Sequence, residues 1–484
     1  MNKTIPLQVV ASDALYASEA KIYPRETSGI FQRLRTAAVF WLLGMFYLFP
    51  WLNWQGRQLV LFDLPARKFY VLGWVFWPQD FFYLSMLLMM AAFSLFFFTA
   101  LAGRLWCGYA CPQTVWTEVF LWMERWTCGN RHQQMKLDAA PWSSEKVLRK
   151  GAKQLLWVTF AVWTGFTFVG FFTPIRELST AVMTATLSGW QLFWIGFYGL
   201  ATYGNAGYLR EQVCKYMCPY ARFQGAMFDR QTLIIAYDEK RGEARGARGR
   251  GVPSVLTRDA LPNAPVVDAA VPRLSAPEPA LGDCIDCTIC VQVCPTGIDI
   301  RDGLQYECIA CGACIDACDN VMDKLGYPRG LIRYDTLAGL EGKPVSVLRP
   351  RVLIYAVILL VLVGAFLWSV AERVPLIVDV LRDRNALYRN AADGGIENAY
   401  TLKLMNQDQR THHYRIQIES ALPITLAAGA DRVTVAAEQV VELPLTLKVA
   451  AGQAKGVNGI RIRVQSEDDA AVFYVQETRF FGPF

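Results

Sequence analysis

Eight cysteines between residues 284 and 318 repeat one spacing twice, Cys-x2-Cys-x2-Cys-x3-Cys. The two runs are Cys284, Cys287, Cys290 and Cys294, followed by Pro295, and Cys308, Cys311, Cys314 and Cys318, followed by Asp319. Three thiolates at this spacing wrap one face of a [4Fe-4S] cluster, and the fourth in each run reaches the other cluster. The predicted ligands are therefore Cys284, Cys287, Cys290 and Cys318 for the first cluster, and Cys308, Cys311, Cys314 and Cys294 for the second. Zinc is the alternative for clustered cysteines, but the doubled spacing favours two iron-sulfur clusters, which carry single electrons.

Four further cysteines form a second repeat, Cys-x-Tyr-x-Cys-Pro. Its copies are Cys107, Cys111 and Pro112, and Cys214, Cys218 and Pro219. Cysteines at i and i+4 share one face of a helix, and a proline suits the first position of the helix that follows. Because each copy comes just after a long apolar stretch, we expect the two copies to meet at the membrane surface as one site with four thiols.

This second repeat supplies the candidate catalytic residues. Thiolates are soft ligands that select Cu(I), zinc or iron-sulfur centres, and Met217 adds a thioether inside the second copy. The alternative is that small, apolar cysteines fill crowded helix ends. Two matched copies favour a redox or metal site over packing. Cys128 has no counterpart in either pattern, so we expect it to be a packing residue.

Other metal ligands are sparse. The three histidines, His132, His412 and His413, all lie outside the long apolar stretches, which excludes a bis-histidine haem within the membrane. His412 and His413 would point to opposite faces of a predicted strand, which argues against a copper site there.

The composition is that of a chain partly dissolved in lipid. Hydrophobic residues make up 53% of the 484 residues and charged residues only 19%. A helix needs about 20 apolar residues to cross a bilayer, and five stretches approach this length: 36–55, 81–103, 154–174, 184–204 and 352–371. The net charge of +6 is then explained by Lys and Arg that flank membrane spans, and not by nucleic-acid binding.

Loop charges predict the orientation of these spans. The loop 104–153 holds eight Lys or Arg residues, whereas 175–183 holds only Arg176. The positive-inside bias then places the N-terminus, this first loop and residues 205–351 in the cytoplasm of a bacterial inner-membrane protein, and the C-terminus in the periplasm. The cysteines all precede residue 319, as expected for thiols kept on the reducing side. Only the loop 56–80 departs from the pattern, because it holds Arg57, Arg67 and Lys68.

The domain organisation follows from these features and from two changes of composition. Residues 231–282 contain an Arg- and Gly-rich run and a Pro- and Ala-rich run, which predict a linker, with lipid headgroup contact as the alternative. Beyond residue 372, short segments alternate apolar and polar residues in the manner of an immunoglobulin-like sandwich. The predicted fold is an α-helical membrane protein with about five spans, an inserted two-cluster ferredoxin domain and a C-terminal all-β sandwich. Its parts are a cytoplasmic segment 1–35, a four-helix membrane core 36–230, the linker 231–282, the ferredoxin domain 283–335, a connector with the fifth span 336–371, and a periplasmic domain 372–484.

In this order the parts resemble the CcoG family, also called FixG or RdxA, over nearly the whole chain. The resemblance rests on the paired Cys-x3-Cys-Pro motifs, the ferredoxin insert and the immunoglobulin-like tail. It implies a role in assembling a cbb-type haem-copper oxidase, by reducing Cu(II) to Cu(I) before copper is inserted. By position, the residues that match the family's membrane cysteines are Cys107, Cys111, Cys214 and Cys218. The softness of thiolates supports copper at these positions.

Three functions are compatible with these residues. The leading hypothesis is a cupric reductase, an oxidoreductase in which a cytoplasmic donor loads the clusters and electrons pass to copper at the four cysteines. One alternative is an electron-relay subunit that exchanges electrons with quinone and a partner reductase. The other is a non-catalytic assembly scaffold. The expected partners are the membrane, a cytoplasmic electron donor and copper-handling or oxidase-assembly proteins. A homo-oligomer is compatible with this organisation, and no nucleic-acid partner is expected.

Reporter fusions test the predicted orientation. A reporter at residue 250 should be active in the cytoplasm and one at residue 450 in the periplasm, because the Lys and Arg bias and the cysteine distribution both require it. A cytoplasmic signal at residue 450 would mean that one span is misread. The first span is the weakest, since Asn53 and Gln55 lie at its edge.

Overall fold

The structure is a computed structural model that describes residues 21–246, 281–391, 393–426 and 431–483. Residues 1–20 of the predicted N-terminal segment and 247–280 of the predicted linker lie outside the described residues. The chain forms two compact units. The first comprises Met1–Phe49, Ala91–Gly170 and Ile175–Ile358, and the second comprises Pro50–Met90, Phe171–Pro174 and Leu359–Phe484.

Helices dominate the first unit. In the described part of the chain the α-helices are Ile30–Leu48, Phe81–Ala102, Leu105–Tyr109, Pro112–Cys128, Arg131–Ala139, Ser144–Val169, Ile175–Met183, Gly189–Thr202, Pro219–Met227, Glu239–Gly242, Ile289–Gln292, Ala313–Leu325, Leu337–Leu340 and Pro350–Ala371. Two short π-helices, Tyr203–Leu209 and Val213–Met217, precede Cys218. Such segments are rare and often mark functional sites.

Three helices of the described residues are long and apolar enough to cross a membrane, namely Ile30–Trp51, Pro78–Ala102 and Pro350–Ala371. They coincide with the first, second and fifth predicted spans. The third and fourth predicted spans fall on Ser144–Val169, whose first turns are charged, and on Gly189–Thr202, which is short and continues as a π-helix. Crossing by these two helices stays a prediction.

The first helix begins at Ile30, six residues before the predicted start of the span at 36. Its free N-terminal N–H groups are capped by a carboxylate from the helix Ala313–Leu325. The backbone N–H groups of Gln32 and Phe31 donate to the carboxylate oxygens of Asp316 at 2.7 and 3.3 Å. This cap ties the start of the first helix to the helix that carries two of the predicted cluster ligands.

A two-stranded sheet adjoins the cysteine-rich part of the first unit. The strand Ile234–Tyr237 pairs antiparallel with Ile332–Asp335, and all four of its residues are buried. The start of the predicted linker 231–282 is therefore wrong, since a core strand lies within it. Arg241 follows the strand and is also buried, where its guanidinium pairs with Asp283 at 2.7 Å. The surrounding charged residues concealed this short apolar strand in the sequence.

A β-sandwich dominates the second unit. In its strand Ile396–Asn406 alternate residues are buried over most of the length, as the sequence pattern predicts. This strand pairs antiparallel with Val440–Val449 and with Leu376–Arg382, a strand that the pattern missed. The same sheet includes Arg389–Asn390 and Thr425–Leu426, and the second sheet consists of Arg432–Val435, His412–Ser420, Val457–Ser466 and Phe473–Phe481. Apolar side chains from both sheets form one core.

The predicted loop 56–80 forms short antiparallel strands within the second unit: Arg57–Gln58 pairs with Asn53–Trp54, and Val60–Asp63, Lys68–Val71 and Trp74–Phe76 form a sheet. Two of its cations contact Glu438 in the same unit. The Arg57 guanidinium pairs with the Glu438 carboxylate, and Lys68 Nζ donates to the Glu438 backbone oxygen at 2.8 Å. These charges are balanced locally, so they carry little weight among the free cations that the positive-inside bias counts.

Removing the carboxylate that caps the first helix should destabilise the first unit. Asp316→Ala should cost about 1–3 kcal/mol, because two helix N–H groups lose a charged acceptor. Asp323 is the matched control on the same helix, since it forms only an exposed pair with Arg329. Asp323→Ala should leave the thermal unfolding midpoint in detergent nearly unchanged. Equal midpoints for the two variants would contradict the capping role.

Candidate functional site

The four cysteines assigned to the first cluster surround one cavity. Cys284, Cys287 and Cys290 come from the first run, and Cys318 comes from the end of the second. The rest of the lining is largely apolar: Ile285, Ile289, Val321, Met322, Leu331 and Ile332. The exchange of ligands between the runs that the spacing predicts is thus compatible with the positions of these residues.

The four cysteines assigned to the second cluster surround a neighbouring cavity. Cys308, Cys311 and Cys314 meet Cys294 from the first run there. Cys290 lines both cavities, which places them next to each other.

The backbone bends in the same way at both cysteine runs. Asp286 and Ala310 occupy equivalent positions and have φ angles of 55° and 53°, and Thr288 and Gly312 are equivalent with 56° and 75°. Left-handed backbone is costly for residues other than glycine, so its repetition at matching positions points to a functional constraint. These turns wrap each run around its cavity.

Burial makes these thiols poor acids. It raises the pKa of Cys308 and of Cys318 to about 12, and that of Cys290 to about 11. Buried thiols release their protons when they bind a metal, whose positive charge compensates that of the thiolate. Two adjacent, largely apolar cavities with four thiols each fit two [4Fe-4S] clusters.

The four cysteines of the second repeat also come together, in what we call the four-thiol site. Its first half, the first thiol turn, is residues 107–112, and the second thiol turn is residues 214–219. Cys107 Sγ donates to Gln224 Oε1 at 3.3 Å, and Gln224 lies on the helix that follows the second turn. Burial and, to a lesser extent, the neighbouring thiols Cys111, Cys214 and Cys218 together raise the pKa of Cys107 to about 12. Met217 is 60% exposed, which does not place its thioether among the half-buried thiols.

The proline in each turn has the predicted place. Pro112 and Pro219 are the first residues of the helices Pro112–Cys128 and Pro219–Met227, so that Cys111 and Cys218 directly precede a helix. Free N–H groups at a helix start face the residue before it. Those of Gln113 and Thr114 act on the sulfur of Cys111 and lower its pKa, against the larger effect of burial, which raises it.

The first thiol turn packs directly on the loop that carries the second cysteine run, residues 308–318. Gly108 is buried, and a Cβ added to it would lie 2.8 Å from the backbone oxygen of Ile309 and 2.9 Å from that of Ala310. Tyr109 Oη donates to the backbone oxygen of Cys311 at 3.3 Å. Cys107 belongs to the same apolar group as Cys311 and Cys314. The four-thiol site therefore adjoins the second cluster cavity.

Arg104 holds three elements together at this contact. Its guanidinium donates to the backbone oxygens of Tyr306, just before the second cysteine run, and of Ala221, on the helix after the second thiol turn. Arg104 itself immediately precedes the short helix Leu105–Tyr109, which carries Cys107. One buried side chain thus fixes both thiol turns relative to the second cavity.

No three His, Cys, Asp or Glu side chains of the described residues are placed to hold a single metal ion. This applies to the four-thiol site and equally to the eight cysteines around the two cavities.

Sequence reasoning missed a set of buried charges beside the four-thiol site. Arg35 pairs with Glu118 at 2.8 Å, and Arg210 pairs with Glu124 at 2.7 Å. Both carboxylates lie on the helix Pro112–Cys128, and a carboxylate in so buried a helix requires a partner. The sequence alone therefore indicated that Glu118 and Glu124 need cationic partners. Arg35, which directly precedes the first predicted span, is 6% exposed and ion-paired.

The remaining candidate residues have ordinary partners. Cys128 is buried, and its sulfur lies 3.9 Å from the backbone oxygen of Arg149, in keeping with a packing role. His412 Nε2 lies 2.9 Å from Asp408, and His413 Nδ1 lies 2.9 Å from Thr434. The two histidines thus have different partners in the sandwich.

Three sequence families match parts of this chain. The family described as "4Fe-4S dicluster domain" matches residues 209–337, and that described as "4Fe-4S binding domain" matches residues 82–127. The family described as "IG-like fold at C-terminal of FixG" matches residues 366–483, which confirms the predicted C-terminal sandwich. The first two matches confirm an iron-sulfur protein with ferredoxin-type domains.

Curated relatives extend over nearly the whole length. The nitrogen fixation protein FixG of Rhizobium meliloti is 37% identical over 478 residues, which cover 90% of this chain and 87% of FixG. Protein RdxA of Cereibacter sphaeroides is 37% identical over 482 residues, which cover 95% of this chain and 96% of RdxA. Protein RdxB of the same organism is 38% identical over 438 residues, with 88% and 87% covered. With its cluster cavities, its four-thiol site and relatives of this extent, the chain belongs to the FixG/RdxA family of iron-sulfur proteins.

Proposed function

We propose that the chain is a membrane electron-transfer protein that reduces Cu(II) to Cu(I) for the assembly of a cbb-type haem-copper oxidase. The observation that carries the proposal is the packing of the first thiol turn on the second cysteine run, where Gly108 leaves no space for a side chain. This contact places the four-thiol site directly beside the second cluster cavity. Copper is supported by the family resemblance and by the preference of thiolates for soft metals.

The reaction requires one electron for each copper ion. When bound, the two clusters supply these single electrons. A cytoplasmic donor delivers the electrons to the protein, and Cu(II) takes up one of them and leaves as Cu(I). No bond or proton is transferred, so the protein has to provide proximity and a soft environment rather than an acid or a base.

The chain's own residues hold the path short. Arg104 joins both thiol turns to the loop before the second cysteine run, and Tyr109 donates to the backbone of Cys311. Electron transfer slows steeply as the gap between two redox groups widens. A direct backbone contact without intervening side chains keeps that gap small.

We place the ferredoxin-type domain in the cytoplasm and the sandwich in the periplasm of the bacterial inner membrane. The loop charges and the absence of cysteine after Cys318 support this orientation. The four-thiol site then lies at the cytoplasmic membrane surface.

A quinone is the second candidate acceptor, because a pocket adjoins the same site. Its lining includes Cys214, Thr296 and Ile309 together with the buried Arg35 and Arg210. Turnover of a water-soluble quinone by the reduced protein at a rate above that of Cu(II) would favour this acceptor over copper.

The second thiol turn should be required for copper reduction. In the variant Cys214→Ser with Cys218→Ser, Cu(II) reduction by the chemically reduced protein should fall by about tenfold or more, a barrier increase of ~1.4 kcal/mol or more. The eight cysteines around the two cavities are unchanged, so the spectrum of the ferredoxin-type clusters should persist. Cys128→Ser, which removes a buried thiol outside the site, is the control and should reduce Cu(II) at the wild-type rate. If the double variant reduces Cu(II) at the wild-type rate, the four cysteines are packing residues and not a redox site.

Widening the contact at Gly108 should slow electron delivery without removing any thiol. Gly108→Ala places a methyl group against the backbone oxygens of Ile309 and Ala310, so the two turns must separate. Gly151→Ala is the matched control, since a Cβ there meets no atom within 4 Å. Stopped-flow mixing with Cu(II) should show slower cluster reoxidation in the first variant only. Identical traces for both variants would mean that electrons leave elsewhere.

A further inference from the structure

We propose that Cys107, Cys111, Cys214 and Cys218 hold a third [4Fe-4S] cluster, with two ligands from each thiol turn. This inference deepens the proposed function and rests on it, since it concerns the site at which electrons leave the protein. On this assignment Cu(II) is reduced at the edge of the third cluster and is not the occupant of the four thiols.

The first support is the pairing of the two thiol turns. Cys107 contacts Gln224 on the helix that follows the second turn, and Arg104 donates to Ala221 on the same helix. Each turn supplies two cysteines separated by three residues, followed by the proline that starts a helix. Two equivalent halves thus bring four half-buried thiols to one place, which is the number that a cubane requires.

The second support is a likeness to the cysteines of the two cluster cavities. At Cys308 and Cys311 the backbone N–H two residues further on, from Ala310 and Ala313, acts on the sulfur. At Cys111 the N–H two residues further on, from Gln113, does the same. Backbone N–H groups directed at cysteine sulfurs are one of the devices by which proteins tune iron-sulfur clusters.

The third support is the extent of the matched families. The family described as "4Fe-4S binding domain" covers residues 82–127, which include Cys107 and Cys111 but none of the eight cysteines around the two cavities. Two thiols cannot complete a cubane with cysteine ligands alone. Cys214 and Cys218 are the cysteines that adjoin this pair, and the two cavities do not use them.

The fourth support is position. Cys107 belongs to the same apolar group as Cys311 and Cys314, which would place the third cluster beside the second.

Iron and acid-labile sulfide content tests the proposal directly. Full-length protein purified without oxygen should contain about twelve iron atoms per chain, and the variant Cys214→Ser with Cys218→Ser about eight. The variant Cys107→Ser with Cys111→Ser should lose the same four from the other half of the site. Cys128→Ser should keep about twelve. Persistent electron paramagnetic resonance signals of the two ferredoxin-type clusters in each double variant would show that the protein is folded.

A content of about eight iron atoms in the wild type, unchanged in both double variants, would overturn the third cluster. The same variants distinguish failure of the proposed function from failure of the third cluster. If the double variants lose four iron atoms but reduce Cu(II) at the wild-type rate, the third cluster is supported, but the four-thiol site is not where copper is reduced. If they keep all their iron but lose copper reduction, the exit stands and the third cluster is overturned.

Discussion

The backbone contact between Gly108 and the oxygens of Ile309 and Ala310 is the constraint on which the site depends. It brings a turn that follows an apolar helix against the loop that binds the second predicted cluster. Any side chain at Gly108 would separate the two groups, and electron transfer depends steeply on their separation. The two cluster cavities, the four-thiol site and the proposed exit to copper form one path only if this contact is kept.

Buried charges surround this contact and hold it in place. Arg104 reaches backbone oxygens on two other elements, and Arg35 and Arg210 each pair with a buried glutamate on the helix Pro112–Cys128. Breaking a buried pair by removing one partner is costly, because the other charge is left unpaired. Asp316 adds a link from the helix that carries Cys314 and Cys318 to the start of the first helix. The charges thus couple the ferredoxin-type part to the apolar helices within the first unit.

Cysteine spacing predicted the ligand sets, and each predicted set surrounds one cavity. The alternation of residues 399–404 likewise predicted part of the strand Ile396–Asn406 in the sandwich. The strand Ile234–Tyr237 was missed because its four apolar residues are followed by a charged run that reads as linker. Crossing by Ser144–Val169 and Gly189–Thr202 stays a prediction, since one begins in charged turns and the other is short. The contact at Gly108 could not be predicted from the sequence, because Ile309 and Ala310 are about 200 positions further along the chain and the contact leaves no local pattern.

The central claim is that electrons pass from the ferredoxin-type clusters to copper through the four-thiol site. Its most direct test is to reduce the purified protein without oxygen, mix it with Cu(II) in a stopped-flow instrument, and follow cluster bleaching and Cu(I) formation together. The account predicts that the clusters reoxidise as Cu(I) appears, with one Cu(I) for each electron lost. Clusters that stay reduced while Cu(II) persists would contradict it.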